Sequence, residues 1–332
     1  MTDFRNIIIE DLELLRKKEQ QDRNVFKVRA YDKVLKGLRS LDKPIHKIED
    51  IESISGIGAR IKEKIQEIID TGKLKAAENI KQDSGVNATD LIMKIHGIGA
   101  VKANDLIKKH NIRTIAELRE AVEKNPKLLN EKQKIGLKYF EDIQERIPRK
   151  EMEEHEKEII KTVGHIDKNF EAIIVGSYRR EAVSSGDIDV LIGYPEGMTE
   201  KEAEEKFKKI VEEFESKSYI TDILAKGSKK CLAVVKLSES TDDSEKSKMK
   251  ARRLDLLLTP PEEFPYALLY FTGSDKFNIK MRKKAIEMGY SLSEHGLKIT
   301  KKDPAPPKPP MMKTEKDVFE FLKIPYISPK ER

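Results

Sequence analysis

Three aspartates are the residues of this chain best suited to chemistry. Asp187 and Asp189 stand two residues apart in the run SSGDIDVLI, and Asp255 stands in RRLDLLL. Alternate residues of a β-strand point to the same face, so we expect Asp187 and Asp189 to project together, opposite the apolar side chains of Ile188 and Val190. Carboxylates gathered from neighbouring strands repel one another unless cations lie between them. The pattern therefore predicts a site for two Mg²⁺ ions, or Mn²⁺ in their place, that activates a hydroxyl nucleophile and binds a nucleoside triphosphate.

A Gly-Ser turn lies just upstream of the first two aspartates. Gly176 and Ser177 follow the strand-like run AIIV, and Arg179 and Arg180 come directly afterwards. Such a turn presents backbone N–H groups to a phosphate, and arginines add charge-assisted hydrogen bonds. A lone D-x-D pair is interpreted most simply as an exposed strand edge, but the preceding turn favours a nucleotidyltransferase site.

An internal repeat lies in the first third of the chain. Ile54–Gly58 reads ISGIG, and Ile95–Gly99 reads IHGIG 41 residues later, each followed by a helix-like stretch. The simpler interpretation is two ordinary connections between helices. Two copies in register within a basic context favour helix-hairpin-helix motifs, in which a tight turn lets the next helix present free N–H groups to a DNA phosphate. The turn glycines expected to approach DNA are Gly56, Gly58, Gly97 and Gly99.

Composition narrows the classes of protein that remain. Charged residues make up 37% of the 332 residues, the mean hydropathy is −0.61, and no apolar run approaches the ~20 residues that cross a bilayer. The acidic, amphipathic start indicates no signal peptide. The only cysteine, Cys231, excludes an internal disulfide and a cysteine-based zinc site, and we expect it in the core. A net charge of +6 and a pI near 8.9 suit a polyanionic partner only weakly, so the motifs carry the nucleic-acid argument.

The motifs GSYRR, SSGDIDVL, RRLDLLL, YFTGSDKFN and SGIGARIKEKI together resemble the X family of DNA polymerases, with length and motif order most similar to its β-type members. The resemblance runs from about residue 10 to the C-terminus. It implies an α+β multidomain fold in four parts. These are an all-α lyase-like domain with the first helix-hairpin-helix (1–82), a helical fingers subdomain with the second (83–148), a mixed α/β nucleotidyltransferase palm (149–260) and an α/β nucleotide-selection subdomain (261–332). Residues 83–90 are expected to form a linker or turn.

The resemblance also assigns roles around the aspartates. Asp187 and Asp189 would bind both metals and Asp255 the catalytic one, with Asp255 best placed to accept the proton of a primer 3′-hydroxyl. Glu294 matches a residue that locks the closed thumb. Contacts to the nucleotide are implied for Arg149, Gly176, Ser177, Arg180, Ser185, Gly186, Tyr270, Phe271, Gly273, Asp275 and Asn278, and contacts to DNA for Arg253 and Arg282.

One residue departs from the family pattern. The GSYRRG motif of the family ends in glycine, whereas here the sixth residue is Glu181. Its carboxylate would either face the triphosphate and weaken nucleotide binding, or turn toward Arg179 or solvent. We expect the second arrangement, because a functional polymerase would not keep a full unscreened repulsion there.

A second chemistry is implied by the same resemblance at Lys64, which matches the family's Schiff-base lysine for removing a 5′-deoxyribose phosphate. The amine must be neutral to attack, and nearby cations favour its neutral form. Phe26 stands where a histidine is found in the β-type enzymes. A solvated lysine on a DNA-binding helix is the alternative. Further contacts to the 5′-phosphate or DNA are implied for Lys27, Tyr31, Arg60, Lys62 and Lys73, and backbone carbonyls that hold a monovalent cation (Na⁺ or K⁺) for Ile54, Ile57, Ile95 and Ile98.

We therefore expect a DNA-directed DNA polymerase that fills short gaps in base-excision repair and carries 5′-deoxyribose-phosphate lyase activity. Its expected partners are gapped or nicked duplex DNA, deoxynucleoside triphosphates and repair proteins, with no membrane contact and a monomeric state. A cellular enzyme would act in the nucleus, and a viral one in a cytoplasmic replication site or the virion. A template-independent nucleotidyltransferase and a non-catalytic DNA-end-binding scaffold are the alternatives.

The C-terminal part contains one low-complexity stretch, Asp303–Pro310 (DPAPPKPP), which must be extended or polyproline-like. It is either a surface loop, the simpler interpretation, or a P-x-x-P docking motif.

Overall fold

The computed structural model describes residues 3–22, 24–41, 43–81, 84–237, 249–301 and 304–332. The chain forms two compact units, Met1–Leu137 and Lys138–Arg332. Among the described helices, none is both long and apolar enough to span a membrane.

The first unit is helical. Val34 and Leu38 lie one helical turn apart, and together with Leu12 and Ile65 of other helices they are fully buried in its core. This burial explains why these amphipathic segments pack rather than remain isolated helices. Its helices are α1 (Arg5–Gln21), α2 (Val25–Arg39), α3 (Ala59–Thr71), α4 (Lys75–Lys81), α5 (Ser84–Met93), α6 (Ala100–His110), α7 (Ile115–Lys124) and α8 (Glu131–Lys138), with short 3₁₀ turns at Ile48–Ile51 and Pro126–Leu128.

The prediction of a linker or turn over residues 83–90 is wrong, because Ser84–Met93 forms α5. Ala88 and Ile92, one helical turn apart, are buried, and this packing outweighs the poor helix propensity of the Ser, Gly, Asn and Asp residues in that stretch. Residues 82 and 83, where the predicted boundary between the first two domains falls, lie outside the described residues.

The second unit is built on a five-stranded sheet in the order β2-β4-β7-β6-β5, in which β4 and β7 are parallel and the other pairs antiparallel. Through the last strand of this sheet, the unit contains α9 (Phe140–Gln144), β1 (Ile147–Pro148), α10 (Arg149–Ile166), β2 (Glu171–Ile174), α11 (Gly176–Arg179), β3 (Ser184–Ser185), β4 (Ile188–Gly193), α12 (Glu200–Ser216), β5 (Ile220–Lys226), β6 (Lys230–Val235) and β7 (Arg252–Thr259). It continues with α13 (Phe264–Thr272), α14 (Asp275–Glu287), the hairpin β8 (Tyr290–Ser293) and β9 (Gly296–Ile299), α15 (Glu315–Phe321) and a 3₁₀ turn at Pro329–Glu331.

The two faces of β4 have different environments. Ile188, Val190 and Ile192 are buried in the main core with residues of α10 and α12, as alternation predicts. Leu191 points to the other face and packs with Ala267 of α13. The C-terminal end of β4 is therefore covered on both faces. Asp189 lies near the N-terminal end of the strand.

The strand-like run AIIV (residues 172–175) forms a strand only as far as Ile174. Gly176–Arg179 instead turns into the single helical turn α11. Cys231 is fully buried in the core, as predicted, and burial raises the pKa of its thiol to about 11.

Candidate active site

Two aspartates lie side by side on the parallel strands at the centre of the sheet. Asp189 of β4 is the register partner of Asp255 of β7, and Asp187 is the residue that directly precedes β4. Burial raises the pKa of Asp189, and the negative charge of Asp255 raises it further, to about 6. The strand pairing therefore brings together two of the three carboxylates that the sequence predicts, while Asp187 lies before the strand rather than within it.

An arginine lies among these carboxylates. Arg253, two residues before Asp255 on the same face of β7, forms an ion pair with Asp187, and its Nε lies 3.7 Å from Asp255 Oδ1. Asp255 Oδ1 is buried and makes no hydrogen bond with any described residue. The contact of Arg253 with DNA remains a prediction, since here its guanidinium binds the site itself.

The carboxylate set fits a hard divalent cation. Its donors are oxygens, which Mg²⁺ prefers, and one of them is buried without a hydrogen bond to a described residue. Burial first, and then the charge of Asp255, raises the pKa of Asp189, and a bound cation would favour the ionised form of both groups. Within the described ranges, no three His, Cys, Asp or Glu side chains converge closely enough to hold a metal ion as they stand. Since Arg253 binds Asp187, breaking that ion pair would release the third carboxylate.

The Gly-Ser turn approaches these strands closely. Gly176 has a φ of +63°, and a Cβ atom at this position would lie 3.1 Å from Asp189 Oδ2, so both the backbone conformation and the space require glycine. The Ser177 hydroxyl donates to Ser185 Oγ at 3.0 Å, and Ser185 is buried where β3 pairs with β1. Gly186 is exposed between β3 and β4. The predicted triphosphate residues of this turn therefore lie next to the aspartates.

The two predicted phosphate-binding arginines are held by backbone carbonyls. Arg149 Nη1 donates to the carbonyl oxygen of Tyr178 at 3.1 Å, and its guanidinium lies over the Tyr178 ring. Arg180 Nη1 donates to the carbonyl oxygen of Thr272 at 2.6 Å. A guanidinium has five N–H donors in all, so these bonds orient each arginine without using its whole capacity for an anion.

Glu181 is exposed, in line with one of the expected arrangements, but its partner is Lys330 and not Arg179, which binds Glu315. The Glu181 carboxylate accepts a bond from Lys330 Nζ at 2.9 Å, and this contact lowers the pKa of Glu181. Its φ is +60°, the left-handed region that glycine adopts without strain. The left-handed backbone conformation explains why the family motif has glycine at this position. Glu181 adopts the same conformation although it has a side chain.

Side chains of α13 and α14 bring most of the predicted nucleotide-selection residues together. Tyr270 and Phe271 pack edge to face with ring centroids 5.0 Å apart. Asn278 Nδ2 donates to the Tyr270 carbonyl oxygen at 2.8 Å, and the Arg282 guanidinium lies 5.0 Å from the Tyr270 ring centroid. The expected contacts of Asn278 with a base and of Arg282 with a template strand remain predictions.

Three further residues of this region were also singled out from sequence. Gly273 has a φ of +66°, and a Cβ atom there would lie 3.3 Å from Arg180 Nη1. The Gly273 backbone therefore lies close to Arg180 of the Gly-Ser turn. Asp275 is the exposed first residue of α14. Glu294 lies 4.0 Å from His295 Nε2, while His295 Nδ1 is 2.8 Å from a Glu263 carboxylate oxygen.

The glycine repeats of the first unit have matching geometry. Gly56 and Gly97 have φ values of +96° and +86°, and Gly58 and Gly99 are the extended N-cap residues of α3 and α6. The two copies therefore perform the same turn in the same register, as a pair of helix-hairpin-helix motifs requires.

The predicted cation-binding backbone lies in these same turns. Ile54, Ile95 and Ile98 are buried and Ile57 is partly buried, so their side chains fix the turns. The Ile95 carbonyl oxygen accepts the Ile98 N–H at 3.1 Å. A carbonyl oxygen has a second lone pair for a cation, and the monovalent site remains a prediction.

Lys64 lies on α3, one turn after Arg60, and its Nζ is 3.4 Å from the Arg60 carbonyl oxygen. Lys27 Nζ forms an ion pair with Glu19 at 2.7 Å. Tyr31 is only 7% exposed, and burial raises the pKa of its hydroxyl. The other residues named for this region are exposed, and they are Phe26 (85%), Arg60, Lys62 and Lys73.

Sequence reasoning missed an arginine of the adjacent pair in RRLDLLL. Arg252 is 3% exposed and points to the opposite face of β7 from Arg253, where it binds both carboxylate oxygens of Glu151 on α10. Glu151 in turn lies 3.8 Å from His155 Nε2, and His155 Nδ1 is 2.7 Å from the Tyr219 hydroxyl. Strand alternation was the available signal, because adjacent arginines must face opposite sides of the sheet.

Arg179 of the Gly-Ser turn, which the sequence suggested as a phosphate contact, is held by protein groups instead. It donates to Thr272 Oγ1 and to both carboxylate oxygens of Glu315, which is 6% exposed. Arg332 binds the same carboxylate at 2.7 Å. Arg179 thus fastens the turn to α13 and α15, whereas the neighbouring Arg180 lies beside Gly273.

Four family models match successive parts of the chain. They are a helix-hairpin-helix domain (residues 6–74), the fingers domain of DNA polymerase lambda (90–144), the DNA polymerase beta palm (146–261) and the DNA polymerase beta thumb (267–332). This order is the one that the motifs predict, and the chain belongs to the X family of DNA polymerases.

The chain is also similar to part of each of three curated proteins. DNA polymerase lambda of Rattus norvegicus is 31% identical over 347 residues, which cover 100% of this chain and 56% of the relative. DNA polymerase lambda of Arabidopsis thaliana is 29% identical over 94% of this chain and 58% of its own length. DNA nucleotidylexotransferase of Xenopus laevis is 29% identical over 100% of this chain and 67% of its own length. The chain thus spans just over half the length of the two polymerase lambda relatives.

Proposed function

We propose that this protein is a DNA-directed DNA polymerase that fills short gaps in base-excision repair. The observation that carries the proposal is the pairing of Asp189 with Asp255 in register on parallel strands, with Asp187 one residue before the first strand and the Gly176 turn in contact with Asp189. When bound by these carboxylates, divalent ions supply charge neutralisation for the attacking and leaving oxygens of an in-line phosphoryl displacement.

The protein groups would divide the remaining work. Asp255, whose Oδ1 is buried and without a hydrogen bond to a described residue, is the acceptor for the primer 3′-hydroxyl proton. Ser177 and Arg180 flank the position expected for the triphosphate, and Tyr270 with Phe271 would pack against the nucleotide sugar. Arg253 must release Asp187 before all three carboxylates face the same ligand.

The direct test is extension of a primer across a one-nucleotide gap with a 5′-phosphate on the downstream strand, using purified protein with Mg²⁺. We expect templated addition of one nucleotide, more efficiently than on an open primer-template. Absence of any incorporation would leave the DNA-end-binding scaffold as the better interpretation.

We further propose a 5′-deoxyribose-phosphate lyase activity in the first unit, with Lys64 as the nucleophile. It is supported by the position of Lys64 on the helix that follows the first hairpin, with the exposed cations Arg60 and Lys62 nearby in sequence. Borohydride should trap a covalent adduct with a 5′-deoxyribose-phosphate end.

The variant Lys64→Arg tests the role of the amine as nucleophile separately from the role of its positive charge. It keeps the positive charge that favours DNA binding but lacks the nucleophile, so trapping should fall at least tenfold while DNA affinity is retained. The matched control Lys62→Arg should trap as the wild type does. Equal trapping by Lys64→Arg and wild type would place the nucleophile elsewhere, and no trapping by wild type would reject the lyase.

A template-independent nucleotidyltransferase is the second candidate, and the similarity to a DNA nucleotidylexotransferase favours it. Extension of a single-stranded primer without template separates the two functions. Addition that depends on the templating base supports the polymerase, whereas equal addition without template supports the transferase.

The remaining proposals concern cofactors, partners and place. We propose Mg²⁺ at the three aspartates, Na⁺ or K⁺ at the hairpin carbonyls, and binding of gapped DNA and deoxynucleoside triphosphates by a monomer that works with other repair proteins. For a cellular protein the place of action would be the nucleus, and for a viral one a cytoplasmic replication site or the virion.

A further inference from the structure

The segment Pro304–Pro310, between β9 and α15, has the sequence PAPPKPP and forms neither helix nor strand. We call it the proline segment. From Ala305 onward, every residue either is a proline or directly precedes one. Proline fixes φ near −65°, and the residue before a proline is pushed toward extended backbone, so the covalent structure alone favours a polyproline II helix.

Burial along this segment repeats every third residue. Pro306 and Pro309 are partly buried and Met312 is 3% exposed, whereas the two residues between each of these are exposed. A polyproline II helix has three residues per turn, so this period places one edge on the protein and two edges in solvent. The first outward edge consists of Pro304, Pro307 and Pro310, and the second of Ala305, Lys308 and Met311.

The proline segment is fastened to the protein at several points. The Tyr290 hydroxyl, from a side chain that is 2% exposed, donates to the Pro307 carbonyl oxygen at 2.7 Å. Pro306 packs beside Gly289, where a Cβ atom would lie 3.2 Å from Pro306 Cγ. Met312 belongs to the core formed with Val318 of α15 and its neighbours. These contacts hold the segment against the protein before any partner binds, and its three-residue burial period is the one that a polyproline II helix gives.

We propose that the proline segment is a docking site for a protein domain of the SH3 or WW type, which binds polyproline II helices in a groove lined by aromatic side chains. Such grooves accept prolines spaced three residues apart, which is the spacing of Pro304, Pro307 and Pro310. The exposed Lys308 is the only charged side chain between Pro304 and Met312, so the partner carries a carboxylate at the edge of its groove. Because the ligand helix is already ordered, binding avoids most of the entropy cost that a free peptide meets.

The test uses the full chain and a panel of purified SH3 and WW domains, with binding followed by fluorescence anisotropy. The double substitution Pro307→Ala with Pro310→Ala removes two outward rings, and it retains the Pro307 carbonyl position that accepts the Tyr290 hydroxyl. Pro325→Ala, at an exposed proline outside the segment, is the matched control. Thermal unfolding of each variant verifies that the fold is retained.

We expect saturable binding to at least one domain, weakened tenfold or more by the double substitution, weakened also by Lys308→Glu, and unchanged by Pro325→Ala. The inference is overturned if no domain of the panel binds saturably, or if the double variant binds as tightly as wild type. Competition of equal strength by duplex DNA would assign the surface to nucleic acid and would also overturn it. Gap-filling activity does not enter these outcomes, so they are independent of the proposed polymerase function.

Discussion

At the scale of single residues, Asp255 is a partly buried carboxylate whose hydrogen bonding is incomplete. One of its carboxylate oxygens is buried without a hydrogen bond to a described residue, and the nearest cation, Arg253 Nε, lies 3.7 Å away. Burying a charged oxygen without a hydrogen-bond partner costs free energy, and no hydrogen bond from a described residue offsets this cost. An incoming ligand is the natural partner, which is the physical basis for assigning Asp255 to the reaction.

We expect Asp255→Asn to reduce nucleotide addition by about 100-fold or more, because it removes both a carboxylate ligand and a proton acceptor while keeping the side-chain shape. Single-turnover incorporation on gapped DNA measures the effect. Binding of the same gapped DNA, followed by anisotropy, should remain near the wild-type value and so serves as the control. An incorporation rate within a few-fold of wild type would contradict the assignment.

Glu181 offers a second experiment at this scale. Its φ of +60° costs about 1 kcal/mol relative to glycine, whereas its exposed ion pair with Lys330 contributes little. Glu181→Gly should therefore be more stable than Glu181→Ala by about 1 kcal/mol, since both variants lose the ion pair but only the first relieves the backbone. Urea denaturation of the two variants measures this difference.

The same pair of variants tests nucleotide binding. Because Lys330 holds the carboxylate of Glu181, the apparent KM for the nucleotide should be nearly unchanged in both. A tenfold fall in KM for Glu181→Gly would show that the carboxylate faces the triphosphate after all.

At the scale of elements, the two faces of β7 have different environments. Its outer face carries Arg253 and Asp255, and its inner face carries Arg252, which is bound by Glu151 of α10. Arg252 also donates to the carbonyl oxygens of Asp142 and Glu145. The start of the strand that carries Asp255 is thus fixed from behind by a buried ion pair.

This ion pair makes stability depend on acid. Burial raises the pKa of Glu151, but His155 and Arg252 outweigh it and lower the pKa to about 2. Since the pKa is lower in the folded than in the unfolded chain, the stabilisation is complete above about pH 4.5 and is lost as the pH falls toward 2. The effect is on the order of 3 kcal/mol.

Glu151→Gln should lower the free energy of unfolding at pH 7 by about 3–5 kcal/mol, because Arg252 would keep a buried charge without its counter-charge. Between pH 5 and pH 3 the variant should lose less stability than wild type. Glu154→Gln, at an exposed glutamate of the same helix, is the matched control and should change little. Equal losses in the two variants would contradict this role for Glu151.

The sequence predicted these elements unevenly, for physical reasons. The strands that carry Asp189 and Asp255 were visible because their apolar periodicity coincides with their burial. Helix α5 was missed because its Ser, Gly, Asn and Asp residues favour turns, and only its packing through Ala88 and Ile92 makes it helical. Asp189 and Asp255 were predictable as a pair, whereas the ion pair of Arg253 with Asp187 depends on side-chain geometry that no spacing encodes.

At the scale of the whole molecule, charge is divided unequally. Residues 1–137 contain 28 Lys and Arg against 22 Asp and Glu, out of 65 and 59 in the full chain, so the entire net charge of +6 belongs to the first unit. The second unit is neutral overall and carries the aspartates. Electrostatic attraction for a polyanion is therefore concentrated in the unit with the two glycine hairpins.

We expect Lys62→Ala to weaken binding of gapped DNA and to reduce the slope of log affinity against log salt by about 1, as the loss of one phosphate contact predicts. The control is Lys208→Ala on α12. Both lysines are exposed, and each has one loose ion pair, at 3.9 Å for Lys62 and 3.7 Å for Lys208. A titration at several salt concentrations measures the slopes, and equal changes in both variants would show that only net charge matters.

The strand order has a consequence for how the sheet assembles during folding. β7 is the last strand of the sheet in the chain, yet it lies in the middle, between β4 and β6. The antiparallel strands β5, β6 and β7 can assemble among themselves, and β2 can pair with β4, but the two groups meet only along the six residue pairs of the parallel β4–β7 seam. Asp189 and Asp255 lie on opposite sides of that seam. A chain divided between Gly193 and Ile220 would therefore hold one of these carboxylates in each fragment, and recovered nucleotide addition on mixing would report that the seam had closed.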